Sequence, residues 1–167
     1  TDPDGLALSR TDMLTAVLIS SFAQVPAIFL AASYSDRHGR RGIYKMGALA
    51  MAVWGFCVFP LMDMGSLLAI TLALTVGQIF IGMMYGPQAA LLTELFSTEV
   101  RYSGASLGYQ LGAIVGGGMA PIAATALIAA FGSAIWVSAY IALASLLTWL
   151  SLHLLGENHQ ADLEKVA

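Results

Sequence analysis

The sequence is short of charge: among its 167 residues, 7 are Lys or Arg and 10 are Asp or Glu, together 10% of the chain. So sparse a basic complement speaks against nucleic-acid binding. The net charge of -3 says little, because in a membrane the location of charges matters more than their sum. Cysteine is nearly absent. A single Cys57 cannot form an intrachain disulfide, and its place inside an apolar run reads as a small buried hydrophobe. The three histidines, His38, His153 and His159, have no zinc-ligand spacing, and no paired carboxylates fall within one site. No enzyme chemistry, metal or cofactor is therefore expected. The start, Thr1-Asp2-Pro3-Asp4-Gly5, has no initiator Met, no basic n-region and no small-residue cleavage site, as expected of a piece of something longer.

What the chain has instead is apolar length. Hydrophobic residues make up 58% and the mean hydropathy is +0.78, against roughly 45 to 50% apolar residues in soluble domains. The chain organises around one dense charge cluster, Ser35-Asp36-Arg37-His38-Gly39-Arg40-Arg41, with apolar stretches on both sides. A soluble hairpin would show a polar face every three or four residues, and these stretches do not. The pattern predicts an all-α, polytopic transmembrane helix bundle of five spans, at about 13–34, 46–62, 67–96, 104–130 and 134–155, each suited to a bilayer core of about 30 Å. The charge cluster then reads as a short cytoplasmic loop, with Ser97 to Ser103 as a second.

Polar residues inside the spans are the informative ones. Gln24 and Pro26 fall near the middle of the first span, where an amide facing hydrocarbon is expensive and where proline frees the carbonyl of Phe22. The second span carries Trp54 and is expected to end at Pro60, before a tight turn at Asp63-Met64-Gly65-Ser66. In the third span, Gly86-Pro87 predicts a kink from Met83 onward. Gln78 and Tyr85 lie about 20° apart there, with Gln88 about another 60° round, so three polar side chains share one face. Such a face at membrane depth suggests a cavity lining. In the fourth span Gly104, Gly108, Gly112 and Gly116 form a strip for close helix approach. They are not a phosphate loop, since no strand precedes them. Gln110, on the far side of that strip, is cheapest facing a cavity. Trp136 and Trp149 fit interfacial anchoring near the two ends of the fifth span, Gly156 ends it, and Glu157 to Ala167 forms an acidic tail. Arg37, Arg40, Arg41, Lys45, Arg101 and Lys165 fall on one side of the bilayer and Arg10 on the other, which predicts that the loops of the larger set, and the C-terminus, are cytoplasmic.

The cluster from Ser35 to Arg41 resembles the D-R-x-G-R-R loop signature of the major facilitator superfamily. Tyr85-Gly86-Pro87-Gln88, Glu94-Leu95-Phe96 and the run from Val100 to Gln110 are similar to its metabolite:proton symporter branch, whose members carry shikimate, dicarboxylates, or proline and betaine. Two departures stand out: Ala32 where the loop signature usually has Gly, and Ser97 where the branch usually has Pro. The resemblance implies helices eight to twelve of a twelve-helix transporter, with the seventh helix and the N-terminal half as missing partners. It also implies a small metabolite and protons as the transported species. The substrate-pocket candidates are Gln24, Gln78, Tyr85, Gln88, Tyr109 and Gln110. Glu94 and Arg101 are seven apart, as in the charge network of related sugar porters, and with Asp36, Arg37, Arg40 and Arg41 they are expected to form a cytoplasmic latch. The alternative is that the basic residues only set topology. A proton carrier is expected outside these spans, since no Asp, Glu or His lies near the middle of any of them. A non-transporting scaffold or receptor that retains the fold is the competing reading.

Overall fold

A computed structural model describes residues 9–155; Gly156, the acidic tail from Glu157 to Ala167, His159 and Lys165 lie outside the described residues. The described chain is helical, without strands: α1 (Arg10–His38), α2 (Arg40–Asp63), α3 (Leu67–Glu94), α4 (Arg101–Gly112), a π-helical stretch (Ala113–Gly118), α5 (Met119–Phe131) and α6 (Ile135–Leu154). The α4, π and α5 segments form one span, so five helices of 20 to 31 residues are long and apolar enough to cross a bilayer.

The ends of these helices follow from local chemistry. Ser9 caps α1 reciprocally with Asp12: the Asp12 amide donates to Ser9 Oγ at 3.1 Å and the Ser9 amide to Asp12 Oδ2 at 3.3 Å. Ser66 caps α3 by accepting from the Ala69 amide at 3.1 Å. Gly65 and Gly132 supply the left-handed residues of the α2–α3 and α5–α6 turns, at φ 66° and 65°.

Several boundaries differ from the sequence expectation, α4 for instance starting at Arg101 inside the expected second loop. The cluster around Asp36 is not a loop: α1 runs through His38 and α2 starts at Arg40, so Gly39 alone separates them. Charged side chains do not end a helix whose backbone stays hydrogen-bonded, and here the helices extend past the apolar core. The break needs only the φ of 94° that Gly39 adopts, with its amide donating to Ser35 O at 2.9 Å. Pro60 lies inside α2, and α3 closes at Glu94, two residues before the expected end, while continuing unbroken through Pro87. Gly39→Ala should cost about 1–3 kcal/mol of stability, because an L side chain is strained at that φ. Gly42→Ala, with nothing within 4 Å of an added Cβ, should be neutral or stabilising. Thermal melting of the two purified variants checks this.

Packing proceeds sideways across the bundle: α1 lies on α3, α3 on α2, and α2 on α6. The α1–α3 crossing is close because small residues face each other. A Cβ added at Gly82 would stand 2.8 Å from Ala27 Cβ, and one at Gly86 would stand 2.7 Å from Ile28 O and 2.8 Å from Ala32 N. On the other side of α3, Gly77 accommodates Trp54, whose indole N–H donates to Ala73 O at 3.1 Å. Buried hydroxyls are satisfied within their own helix, Ser20 on Val17 O and Ser35 on Ala32 O.

The fourth span behaves differently. It has no buried residue and, among the described residues, touches only its chain neighbours α3 and α6. Among the described residues the expected glycine strip is therefore not a packing face: an added Cβ at Gly108, Gly112 or Gly116 meets nothing within 4 Å, and the nearest atoms to one at Gly104 are those of Phe96. Four-residue spacing makes close approach possible, but a neighbour has to be there to use it, and the pair Gly82 and Gly86 has one. Cys57 also departs from expectation. It is exposed rather than buried, about 200° around α2 from Gly55, which packs on Ile141 of α6.

Candidate functional site

The register of the α1–α3 crossing decides which side chains share a surface. Ala27 meets Gly82 and Ala31 meets Gly86, so α1 and α3 run parallel at that contact with matching residues 55 apart in sequence. Viewed down α3 with Gly82 facing α1, Gln78 lies about 40° to one side, Tyr85 about 60° and Gln88 about 120°, whereas Ile79 and Met83 lie about 60° and 100° to the other. On α1, Gln24 sits about 60° from Ala27 on the side away from Ala23 and Leu30. Ala23, Leu30, Ile79 and Met83 line one common groove. Gln24 therefore joins Gln78, Tyr85 and Gln88 on the opposite surface.

Depth follows from the same register. Gln24 is level with residue 79, within about one residue rise of Gln78, and Gln78 lies close to the middle of the 28-residue α3. From there the polar ladder climbs through Tyr85 to Gln88, about 15 Å along the helix toward the charged end. Gln24, Gln78 and Gln88 are half-buried and Tyr85 is 50% exposed. This is an amide- and phenol-lined strip reaching from the helix middle toward one end, with donors and acceptors and no ionisable carboxylate. Tyr109 and Gln110 do not join it. Both are exposed on the fourth span, which has no buried residue.

The charge cluster assembles at one end of the bundle, where α1 and α3 finish and α2 begins. Arg40 donates to Glu94 Oε1 at 2.5 Å and to Asp36 Oδ1 at 3.5 Å. Each of the three is badly placed with respect to its own helix: two carboxylates stand at C-terminal ends and a cation at an N-terminus, all opposed to the macrodipole. Together they compensate one another and tie three helix ends to one guanidinium. Arg41 reaches the far side of the bundle and donates to the carbonyl of Leu155, past the end of α6. The expected partner Arg101 does not reach Glu94; its Nε donates to Phe96 O at 3.4 Å, because α4 starts at Arg101 and the seven-residue spacing to Glu94 crosses a turn rather than one continuous helix. Arg37 makes no ion pair among the described residues and lines the groove instead. Sequence spacing alone missed the Gly82/Gly86 contact, although its small-x3-small pattern was present, and missed the Arg41–Leu155 link, which carries no local signal at all.

The Major Facilitator Superfamily family model matches residues 4–165. The chain belongs to that superfamily. Among the relatives it resembles are the inner membrane metabolite transport protein YhjE of Escherichia coli, 32% identical over 96% of this chain and 37% of that protein, and the shikimate transporter of the same organism, 33% identical over 76% of this chain and 30% of that protein. A citrate-proton symporter of Klebsiella pneumoniae is 34% identical over 74% of this chain and 28% of that protein. The matches thus cover between about a quarter and little more than a third of the length of these curated relatives. No solved structure matches it. The superfamily is one of transport proteins, not enzymes, and the chain is a multi-pass membrane protein. Among the described residues no group of His, Cys, Asp and Glu could hold a metal ion.

Proposed function

We propose that these five spans work as helices eight to twelve of a twelve-helix secondary transporter that moves a small polar metabolite, an organic acid or a zwitterion, by alternating access and in symport with protons. One observation supports this reading: a polar strip that starts at mid-helix depth with Gln24 and Gln78 and climbs through Tyr85 to Gln88 on one surface of α1 and α3, with an apolar groove on the other. Amides at that depth are tolerated where they line a cavity, and transporter sites lie near the bilayer midplane at the interface of repeats. The rest of the cavity comes from the partner helices, which also cover the open faces of the fourth span, including Tyr109 and Gln110. The proton carrier lies outside these spans. The Asp36–Arg40–Glu94 cluster is the latch, on the cytoplasmic side together with the C-terminus, and favours the state closed there.

The test is uptake of labelled shikimate, citrate and proline by the intact transporter in proteoliposomes, with and without an imposed proton gradient. Gradient-driven accumulation of one of them is expected. Gln78→Ala and Gln88→Ala should raise its KM about 5- to 30-fold, the loss of roughly 1–2 kcal/mol for one hydrogen bond to a polar ligand, with a smaller change in maximal rate. No accumulation of any of the three under any gradient favours the scaffold or receptor instead.

A further inference from the structure

The apolar groove on the other surface of α1 and α3 has a volume of about 770 Å³. It exists because Gly39 turns α2 away from α1 in a single residue, leaving the two helices apart with α3 behind them, and because Ala23, Pro26 and Ala27 present little side-chain bulk. Leu30, Ile79 and Met83 complete its apolar walls, with Ile43 of α2 near the charged end. Leu30 is 71% exposed and Ile79 37%, so the groove opens sideways, away from the polar strip. Its charged end carries Tyr34, His38 and Arg37. The Tyr34 and His38 rings stack at 4.3 Å, and Arg37 stands exposed without an ion pair among the described residues, while Arg40 is held by Asp36 and Glu94.

We infer that this groove holds one acyl chain of an anionic phospholipid, with the lipid phosphate on the Arg37 guanidinium. Three features fit that occupant. Away from its charged end, from Ala23 to Leu30 on α1 and at Ile79 and Met83 on α3, the walls are hydrocarbon, which a polar metabolite would not select. From Ala23 to Arg37 the groove runs about 21 Å along α1, the depth of one leaflet of a core about 30 Å thick plus the headgroup level. The end that reaches the interface is cationic and aromatic, the combination that holds phosphate at a membrane surface. Charge complementarity selects an anionic headgroup over a zwitterionic one, since the latter brings its own cation to Arg37.

The intact transporter, purified in micelles of a non-ionic detergent containing equimolar phosphatidylglycerol and phosphatidylcholine, provides the test, with native mass spectrometry counting the retained lipid. Wild-type protein should keep phosphatidylglycerol about fivefold over phosphatidylcholine, the preference one basic residue near a membrane surface confers. Arg37→Gln should bring the two near parity, Arg37→Lys should restore the excess, and Arg101→Gln should leave it unchanged. An excess that survives Arg37→Gln, or none in the wild type, overturns the inference. Position is read separately with Leu30→Trp: phosphatidylglycerol brominated in mid-chain should quench the introduced indole more strongly than brominated phosphatidylcholine, and Arg37→Gln should remove the difference. If neither lipid quenches it, a protein segment fills the groove and the inference fails. It fails equally if excess glycerol phosphate displaces the bound lipid, because the charge alone would then be what is recognised.

Discussion

Gly86→Val should leave almost no folded protein to purify from the membrane. The Cβ that any other residue brings to this position would stand 2.7 Å from Ile28 O and 2.8 Å from Ala32 N, and both are backbone atoms of α1 that cannot swing aside. Overpacking where side chains can relax costs about 1–3 kcal/mol. Here the only relief is to push two helices apart along their main contact, and valine adds two further methyl groups. Gly82 offers a graded comparison. Its first obstacle is Ala27 Cβ at 2.8 Å, a side chain, with Gln24 O and Ile28 N further off at 3.2 Å. Gly82→Ala should therefore be partly rescued by Ala27→Gly, whereas Gly86→Ala should not be rescued by Ala31→Gly. Yield and melting temperature by size-exclusion chromatography in detergent give the result. A Gly86→Val protein that purifies and melts like the wild type would mean that α1 and α3 do not cross here.

These glycines show where sequence reasoning reaches its limit. Five spans were legible because each is a long apolar run, and the bilayer imposes length and composition on such a run regardless of partners. The polar ladder of Gln78, Tyr85 and Gln88 was legible too, because three residues on one helix need only the helical period to be placed on one face. Relations between helices were not. The two glycine series, 82 and 86 against 104, 108, 112 and 116, carry the same spacing, and only the pairing of α1 with α3, 55 residues apart, shows which one is occupied in this chain. Gln24 joined the ladder for the same reason: its side of α1 became defined once Ala27 was seen to face Gly82. Charge is a poor marker of where a helix ends. At Arg40 the helix begins six residues before the apolar run does, since an interfacial side chain can extend into water while its backbone stays hydrogen-bonded.

The charge cluster gives the second large effect. Arg40 touches Glu94 and Asp36 at once, and with Arg40 27% exposed and Glu94 50%, each attraction is worth only about 0.2–1 kcal/mol after screening. Arg40→Ala removes both attractions and should slow transport a few fold. Arg40→Glu goes further, because it places a third carboxylate against two that already stand at the unfavourable ends of their helices. Two attractions become two repulsions, a change of roughly 1–3 kcal/mol, and about tenfold in the balance between the states open and closed at that end. The expected result is a maximal rate about tenfold lower with a KM changed by less than twofold, and greater labelling of a reporter cysteine on the charged side in a Cys57→Ser background. Adding Glu94→Arg recreates one opposite-charge pair with its signs exchanged and should recover part of the rate, but not all of it, because Asp36 still faces a carboxylate. Raising the ionic strength should shrink the difference between Arg40→Glu and wild type, since these groups are partly in water. Arg101→Ala, whose guanidinium bonds among the described residues to Phe96 O and to neither Asp36 nor Glu94, should change neither rate nor labelling. If Arg40→Glu inserts normally and transports at the wild-type rate with wild-type labelling, then the cluster fixes topology alone and the helix ends are not a latch.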